Sequence, residues 1–239
     1  MQPSVNPRLF GVTKPLPFES PSSWAQRVCQ QYDLTYRKFL ACFGLRASRD
    51  IDLAFSAADY RRVAQICGLL ESDFFAMQVC FGRCKQSRWM LDLLGFRDKK
   101  APSYRYCLEC WKTDRVPYLR LEWRFPLWQV CPDHRVAMRD ACPHCRCPLQ
   151  MQRAVLGGTV VPHPVASLAH CLMCGSDMRF GTAERLVSED GSLEAAIAVQ
   201  RAHLAAVVHG YFMIHGCGAR RYPPRRLAQW LKYGLLTAG

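Results

Sequence analysis

The chain has 239 residues, of which 50% are hydrophobic and 21% are charged, so its composition excludes a wholly disordered protein and permits one large domain or two small ones. Its formal net charge of +13 indicates a surface that attracts polyanions such as nucleic acid, although a basic surface also aids solubility. The sequence contains no secretory leader and no long uncharged apolar run, which predicts a cytoplasmic protein without membrane association.

Residues 1–100 are expected to form a helical region. Ser20 or Ser22 can cap a first helix, in which apolar residues recur at every fourth position. Thr35 is the expected N-cap of a second helix, and Gly44 is the expected stop of that helix. The two helices are joined by only a few residues, so they form a helical hairpin.

A second helical hairpin is predicted further along the chain. Ser56 caps its first helix, Gly68 interrupts the pattern and Ser72 starts the next helix. Such pairs have the helix-turn-helix pattern, but the same pattern also builds cores in proteins that bind no DNA. The last helix is acidic and apolar, so a core or protein-contact role suits it better. In the earlier hairpin, Arg37 and Lys38 lie on the second helix and favour contacts to phosphates.

Residues 101–180 contain four pairs of cysteine and histidine residues. Each pair has a gap of two residues, which lets both side chains of a tight turn approach one ion. Thiols stay reduced in the cytosol, so this spacing favours metal binding over disulfides. The eight residues are Cys107, Cys110, Cys131, His134, Cys142, Cys145, Cys171 and Cys174.

The four pairs predict two structural zinc ions, each with four protein ligands and no position left for water. Taken in chain order, they form one site of three cysteines and a histidine and one site of four cysteines. The spacing also permits an interleaved arrangement, in which the first and third pairs share an ion. His144 and Cys147 are expected to remain outside the sites, because Cys142 and Cys145 already have the standard gap.

The loop inside the first zinc site is strongly apolar over residues 118–128, which is unusual for a solvated loop. It is therefore expected to pack on the helical region, so that the two regions share a core. Arg120 and Arg124 lie four positions apart within this loop, and the spacing predicts that they share an exposed face.

Residues 181–239 are expected to form C-terminal helices that end in a basic tail. The tail interleaves cations with aromatic residues, a composition that suits phosphate binding and base stacking or a partner groove. The alternative is that its apolar residues dock on the core and leave a solvated basic face. The candidate binding residues in the tail are Arg220, Arg221, Arg225, Arg226 and Lys232.

Together these regions predict a mainly α-helical fold with small zinc-ribbon or knuckle elements. In this fold the N-terminal helix-turn-helix-like region packs on a double zinc-binding module, and C-terminal helices follow. Neither a zinc-protease motif nor a phosphate-binding loop nor a serine-nucleophile motif occurs, and the closed zinc sites leave no position for an activated water. The residues therefore favour a protein without catalytic activity.

Two stretches of the sequence resemble the TniQ family of transposition proteins, which includes the TnsD-like proteins. They are "PLPFESPSSWAQRV" and "RYCLECWKTDRVPYLRLEWRFPLWQVCPDHRVAMRDACPHC". The resemblance extends from Pro15 to Cys174, and it places the family's zinc ligands on the same eight residues. It implies a target-selection adaptor that links a target-recognising element on DNA to an AAA+ transposition ATPase.

The resemblance also implies a particular kind of adaptor. TnsD-like proteins that read an attachment site carry a long C-terminal extension, whereas only a short segment follows Cys174 here. The short form favours the adaptors of CRISPR-associated transposons, which borrow specificity from a CRISPR effector–guide RNA complex. The expected partners are the ATPase, that complex, DNA and a second copy of the chain. The alternatives are a stand-alone, sequence-specific zinc DNA-binding protein and a zinc-dependent or redox enzyme.

Overall fold

A computed structural model describes residues 9, 11–46, 48, 50–86, 88–97, 101–149, 151, 167–213, 221–224 and 226. Over these residues the chain is mainly helical, as the sequence predicts. The described helices are α1 (Pro21–Gln31), α2 (Tyr36–Cys42), α3 (Ala57–Cys67), α4 (Phe75–Cys84), α5 (Arg88–Leu91), α6 (Leu108–Thr113) and α7 (Ser192–His209). Two short strands, β1 (Phe96–Arg97) and β2 (Ala101–Pro102), pair antiparallel between α5 and α6.

Side-chain caps start the first three helices where the sequence predicts them. The hydroxyl of Ser20 accepts the N–H of Ser23 at 3.2 Å, and the hydroxyl of Thr35 accepts the N–H of Lys38 at 3.3 Å. Ser56 forms a reciprocal capping box with the residue three positions later. These oxygens satisfy backbone donors that have no partner inside the helix.

Two glycines end helices as predicted, but the second helix of the second hairpin begins differently from the prediction. Gly44 and Gly68 have φ angles of 67° and 68°, a conformation that glycine adopts without steric strain. A 3₁₀ turn, Glu71–Phe74, then leads directly into α4, so Ser72 lies within the turn and does not precede it. The carboxylate of Asp73 accepts the N–H of the residue before the turn at 3.0 Å, which explains the earlier start.

An aromatic cluster joins α1 to the other N-terminal helices. The indole of Trp24 is 1% exposed and lies edge-on to Phe39 of α2 and to Phe74 of the 3₁₀ turn, with ring centroids 5.8 and 4.9 Å away. Edge-to-face contacts of this kind orient the rings and add to the stabilisation from burial alone. They fix how α1, α2 and α4 pack.

Polar residues just before and at the start of α1 attach this helix to the apolar loop of residues 118–128. The backbone N–H of Ser20 donates to the carbonyl of Leu119 at 2.8 Å, and the N–H of Leu119 donates to the hydroxyl of Ser23 at 3.0 Å. The same hydroxyl donates to Glu19, whose carboxylate also pairs with Arg27 at 2.7 Å. The stretch "PFESPSSW" therefore serves both as a helix cap and as a joint between two regions.

The apolar loop packs on the N-terminal helices, as predicted, but it connects two separate buried clusters and does not complete a single shared core. Leu121 and Phe125 are buried among the N-terminal helices, whereas Trp123 between them is buried among the residues around the metal-ligand candidates. Burial of neighbouring side chains in two separate clusters requires the loop to run between them. Apolar packing of this loop therefore holds the helical region against the metal-binding region.

The burial of Arg124 shows that the prediction of an exposed face shared with Arg120 is wrong. The side chain of Arg124 is fully buried, and its guanidinium donates to the carboxylate of Asp50 at 2.7 Å and lies 3.3 Å from that of Asp52. Asp52 also accepts the hydroxyl of Tyr104. A fully buried cation requires compensating charges, and the loop between α2 and α3 supplies two of them.

The long helix α7 packs against α4 and touches both cores. Leu204 contacts the N-terminal core and the core around the metal-ligand candidates. The amide of Gln200 donates to the carbonyl of Val130 at 2.6 Å and accepts the N–H of the same residue at 3.3 Å. None of the helices in the described part of the chain is both long and apolar enough to span a membrane.

Candidate metal centres

Three of the four pairs of ligand candidates form the same turn. In the turn from Cys131, the cysteine carbonyl accepts the N–H of Arg135 at 2.8 Å, and the cysteine N–H donates to Val136 at 2.9 Å. The two corresponding distances are 3.0 and 2.8 Å in the turn from Cys142, and 2.8 and 2.9 Å in the turn from Cys171. Backbone hydrogen bonds alone therefore hold the two ligand candidates of each turn close together.

The residue that closes each turn has a left-handed backbone conformation. The φ angles are 53° at Arg135, 58° at Arg146 and 72° at Gly175. The sequence indicates this conformation only at Gly175, because residues with a β-carbon rarely adopt it. The two arginines remain in it because the turn determines their backbone through the hydrogen bonds on either side.

The remaining pair uses a helix start instead of this turn. Cys107 is the N-cap of α6, and its Sγ accepts the N–H of Cys110 at 3.4 Å. Hydrogen bonds from Cys110 lower the pKa of the Cys107 thiol, but a hydrogen bond with Cys131 and burial outweigh them and raise it to about 11. Behind this pair, the rings of Tyr106 and Trp111 stack with centroids 4.3 Å apart. The helix start therefore fixes the positions of the two thiols, and the stacked rings give them a rigid aromatic base.

The structure brings the first four ligand candidates into one cluster. His134 Nδ1 lies 3.7, 3.4 and 3.5 Å from the Sγ atoms of Cys107, Cys110 and Cys131, and the Sγ atoms of Cys110 and Cys131 are 3.7 Å apart. Tetrahedral zinc with Zn–S bonds of about 2.3 Å requires sulfurs about 3.8 Å apart and slightly shorter S···N distances. The measured edges match those of such a tetrahedron.

The second cluster contains four cysteines and no histidine. Its Sγ atoms are 3.8 Å apart between Cys142 and Cys174 and 3.6 Å apart between Cys145 and Cys171. All four sulfurs lie within 4.8 Å of one another, so this set could also hold a metal ion. The pairs are combined in chain order in both clusters, and the interleaved arrangement does not occur.

The two clusters differ in their exposure to solvent. Cys107, Cys110 and Cys131 are all buried, whereas Cys145 of the second cluster is exposed and Cys174 is half-buried. Burial separates a metal ion from competing ligands in water. The second cluster is therefore the more accessible of the two.

Hydrogen bonds prepare individual thiols for deprotonation. Ser176 donates from its hydroxyl and its N–H to Cys174, which lowers the pKa of that thiol to about 6. In the first cluster, hydrogen bonds among the thiols lower the pKa of Cys131 and raise that of Cys110, so they favour the thiolate at one ligand candidate at the expense of another. Because a bound metal requires thiolates, partners that favour the thiolate increase metal affinity.

Two histidines and a cysteine near the clusters lie outside both of them. The sequence predicts this position for His144 and Cys147. His144 is exposed. Cys147 contributes its backbone carbonyl to the turn, where it accepts the N–H of Cys142 at 2.8 Å. His170 Nδ1 lies 3.0 Å from the hydroxyl of Ser167, which gives it a role outside the cluster.

The predicted nucleic-acid or partner residues are distributed over two elements. Arg37 and Lys38 are exposed on α2. Arg221 and Arg226 are exposed near the C-terminal end of the described chain, and their guanidinium groups lie over tyrosine rings. The remaining candidates lie outside the described residues, and they are Arg220, Arg225 and Lys232.

Comparison with known proteins agrees with this architecture. A family model described as TniQ matches residues 11–138, a range that contains the cap of α1, the N-terminal helices and the whole first cluster. The second cluster lies beyond the matched range. No curated protein matches the chain. Because the match covers more than half of the sequence, the chain belongs to the TniQ family of transposition target-selection proteins.

Proposed function

We propose that the chain is a non-catalytic adaptor that links a target-DNA recognition complex to the AAA+ ATPase of a transposon. The recognition complex in this proposal is an RNA-guided CRISPR effector, and the adaptor acts in the cytoplasm. The observation that carries the proposal is the TniQ match over residues 11–138, because it covers both the helical region and the first metal cluster.

The geometry of the two clusters supports a structural role. Each cluster offers four side chains at tetrahedral spacing, which completes a zinc coordination shell without water. Catalytic zinc needs an open position for water or substrate. Two zinc ions bound in this way would stabilise the loops that carry their ligands, and thereby the surfaces that contact partners.

Zinc is the metal that the donor atoms favour. Seven thiolates and one imidazole provide soft and borderline donors, which select zinc over magnesium or calcium. His134 would bind through Nδ1, the ring atom that faces the three sulfurs. Because structural zinc contributes directly to folding free energy, we propose that the metal-free chain loses its order around both clusters.

The two buried cores support the proposed division into a helical region (1–100), a double zinc module (101–180) and a C-terminal region (181–239). The first core is built mainly from the N-terminal helices, and the second from residues 104–178. The apolar loop and α7 connect the two cores. We therefore propose that the three regions move as a single unit, as suits an adaptor that holds two partners at a fixed separation.

Exposed cations supply the contacts to DNA or to partners in this proposal. Arg37 and Lys38 are exposed in the first turn of α2, where phosphates would meet the charge of both side chains. The second set is the basic tail, of which Arg221 and Arg226 are described and exposed.

The decisive experiment combines metal analysis with partner retention. The purified chain is first analysed for zinc content and molar mass. It is then immobilised, and a solution of the ATPase encoded by the same transposon is passed over it. We expect two zinc ions per chain and retention of the ATPase, and a dimeric mass would identify the second copy as a partner. Two zinc ions without ATPase retention would contradict the adaptor role.

The alternative is a stand-alone, sequence-specific DNA-binding protein, which the helical hairpin of α1 and α2 favours. It predicts tight binding to one duplex sequence in the absence of any other protein. A salt-sensitive affinity that is equal for all duplexes would exclude this alternative, because such affinity reports phosphate contacts only.

A further inference from the structure

A short backbone ribbon follows α7. After Gly210, Phe212 pairs with Tyr222 in an antiparallel bridge, with reciprocal N–H to carbonyl distances of 2.8 Å. Phe212 is 9% exposed, so its face of the ribbon lies on the protein. Because side chains alternate between faces, the residues next to this pair point to the other side. Of these, Met213 is 56% exposed.

The ribbon carries two arginine–tyrosine stacks. The guanidinium carbon of Arg221 lies 4.6 Å from the ring centroid of Tyr211, and that of Arg226 lies 5.8 Å from the ring centroid of Tyr222. The imidazole of His209, the last residue of α7, lies 6.2 Å from the ring of Tyr211. Cation–π stacking restricts the arginine side chains while leaving the N–H groups at their edges available to an anion.

Two further cations, Arg83 and Arg201, lie on the helices next to the ribbon. Arg83 of α4 has its Nη1 atom 3.8 Å from the position that a Cβ on Gly210 would occupy, beside the start of the ribbon. Arg201 is exposed two turns before His209 on α7, so the two lie on the same side of that helix. We call the set on the Tyr211 side of the ribbon the cation–aromatic surface, and it comprises Arg83, Arg201, His209, Tyr211 and Arg221. Tyr222 and the arginine stacked on it lie on the same face as Phe212 and are not part of it.

The arginines of the cation–aromatic surface carry charge that no carboxylate of the described residues neutralises. Among the described residues, none of these three arginines forms an ion pair with a carboxylate. By contrast, Arg120 and Arg179 pair with Asp114 and Asp177 at 2.9 and 2.6 Å. Unneutralised arginines from three elements, together with aromatic rings, fit a polyanion that carries planar groups.

We propose that the cation–aromatic surface binds single-stranded nucleic acid. The arginines contact phosphates, and unpaired bases stack on the Tyr211 ring and the guanidinium plane beside it. A duplex would satisfy the arginines but would keep its bases stacked on one another, so the rings would add little. The inference rests on the proposed role of the basic tail and specifies its ligand. Guide RNA and a displaced DNA strand share this chemistry.

Fluorescence anisotropy on the zinc-loaded full chain tests this proposal. The probes are a short oligouridylate, an oligothymidylate, its duplex with oligoadenylate, and an abasic strand of equal length. We expect both single strands to bind more tightly than the duplex and the abasic strand. A preference between RNA and DNA would identify which of the two sources supplies the natural ligand.

Three variants separate stacking from charge. Tyr211→Leu removes the ring while keeping apolar bulk, and it should weaken single-strand binding about fivefold or more, with little effect on the abasic strand. Arg221→Gln should reduce the salt slope of single-strand binding by about 0.7, the amount expected for one phosphate contact. Arg115→Gln, which changes an exposed arginine elsewhere, is the matched control and should change neither quantity.

The proposal is overturned if Tyr211→Leu binds the single strands as tightly as the unchanged chain does. Loss of ATPase retention by Tyr211→Leu, without nucleic-acid binding by the unchanged chain, would instead identify a protein-docking surface. Zinc content and thermal unfolding of each variant exclude misfolding as the cause. Retention of the ATPase by the unchanged chain tests the adaptor role separately, so failure of one proposal does not imply failure of the other.

Discussion

Arg124 donates to Asp50 at 2.7 Å across 74 residues of sequence, and it does so from a fully buried side chain. The pair joins the apolar loop to the segment between α2 and α3. Asp52, also fully buried, lies 3.3 Å from the same guanidinium. One cation thus compensates two carboxylates inside the protein.

We predict that Arg124→Met lowers the free energy of unfolding by about 3–5 kcal/mol, because it leaves two buried carboxylates without their cation. Chemical denaturation with zinc present measures the loss. Glu194→Gln is the control, since it breaks the Arg135–Glu194 pair, in which both side chains are about half exposed. That change should cost less than about 0.5 kcal/mol. Equal effects of the two substitutions would contradict this account of Arg124.

Cys110→Ser should remove the zinc ion from the first cluster and destabilise the fold, because structural metal binding contributes folding free energy. Cys145→Ser should do the same at the second cluster. Elemental analysis and thermal unfolding report both effects. Cys147→Ser is the matched control, since it lies outside the clusters, and it should retain two zinc ions per chain. Full zinc content in Cys110→Ser would show that the ligand assignment is wrong.

Zinc should leave the two clusters at different rates. The second cluster contains an exposed cysteine, Cys145, whereas the cysteines of the first are buried. A chelator with a chromogenic zinc indicator should therefore reveal two phases, of which the faster belongs to the second cluster. In Cys145→Ser the fast phase should disappear while the slow phase persists. A single phase in the unchanged chain would contradict the difference in accessibility.

His203 should make the fold sensitive to mild acid. Burial lowers the pKa of this imidazole to about 4, and its ring lies edge-on to Phe125 with centroids 5.7 Å apart. Between pH 4 and about 6.5 the unfolded chain binds the proton that the folded chain excludes. The stability that the neutral ring provides is therefore complete above about pH 6.5 and declines as the pH falls towards 4.

His203→Phe removes this titration and also removes a buried Nε2 that has no hydrogen-bond partner among the described residues. From pH 7 to pH 5.5 the unchanged chain should lose about 1 kcal/mol more stability than the variant. Denaturation midpoints at the two pH values, measured with excess zinc, provide the comparison. Parallel losses would mean that His203 is not the group responsible.

The features that the sequence predicts correctly are those that depend on residues close by in the chain. Ser20, Thr35 and Ser56 cap helices through contacts with residues three positions away, and Gly68 ends a helix through its own backbone freedom. The metal-ligand candidates are equally local, because each pair lies within one turn. Such features depend on nearest neighbours, so their spacing in the sequence is sufficient to predict them.

Features that depend on distant partners escape this kind of prediction. The spacing of Arg120 and Arg124 suggests one face, yet Arg124 is buried because Asp50 and Asp52 are positioned by a different part of the chain. The stack of Arg221 on Tyr211 likewise requires the ribbon to fold back on itself. The mixture of cations and aromatic residues in the tail indicates a binding surface, but it does not show which ring lies against which cation.

The combination of ligand pairs in chain order has a consequence for synthesis on the ribosome. All four ligand candidates of the first cluster, ending at His134, emerge before Cys142, the first of the second cluster. Chains begin to fold from the N-terminal end while translation continues. The first set can therefore bind a metal ion before the thiols of the second set leave the ribosome, which limits mixing of the two sets of ligands.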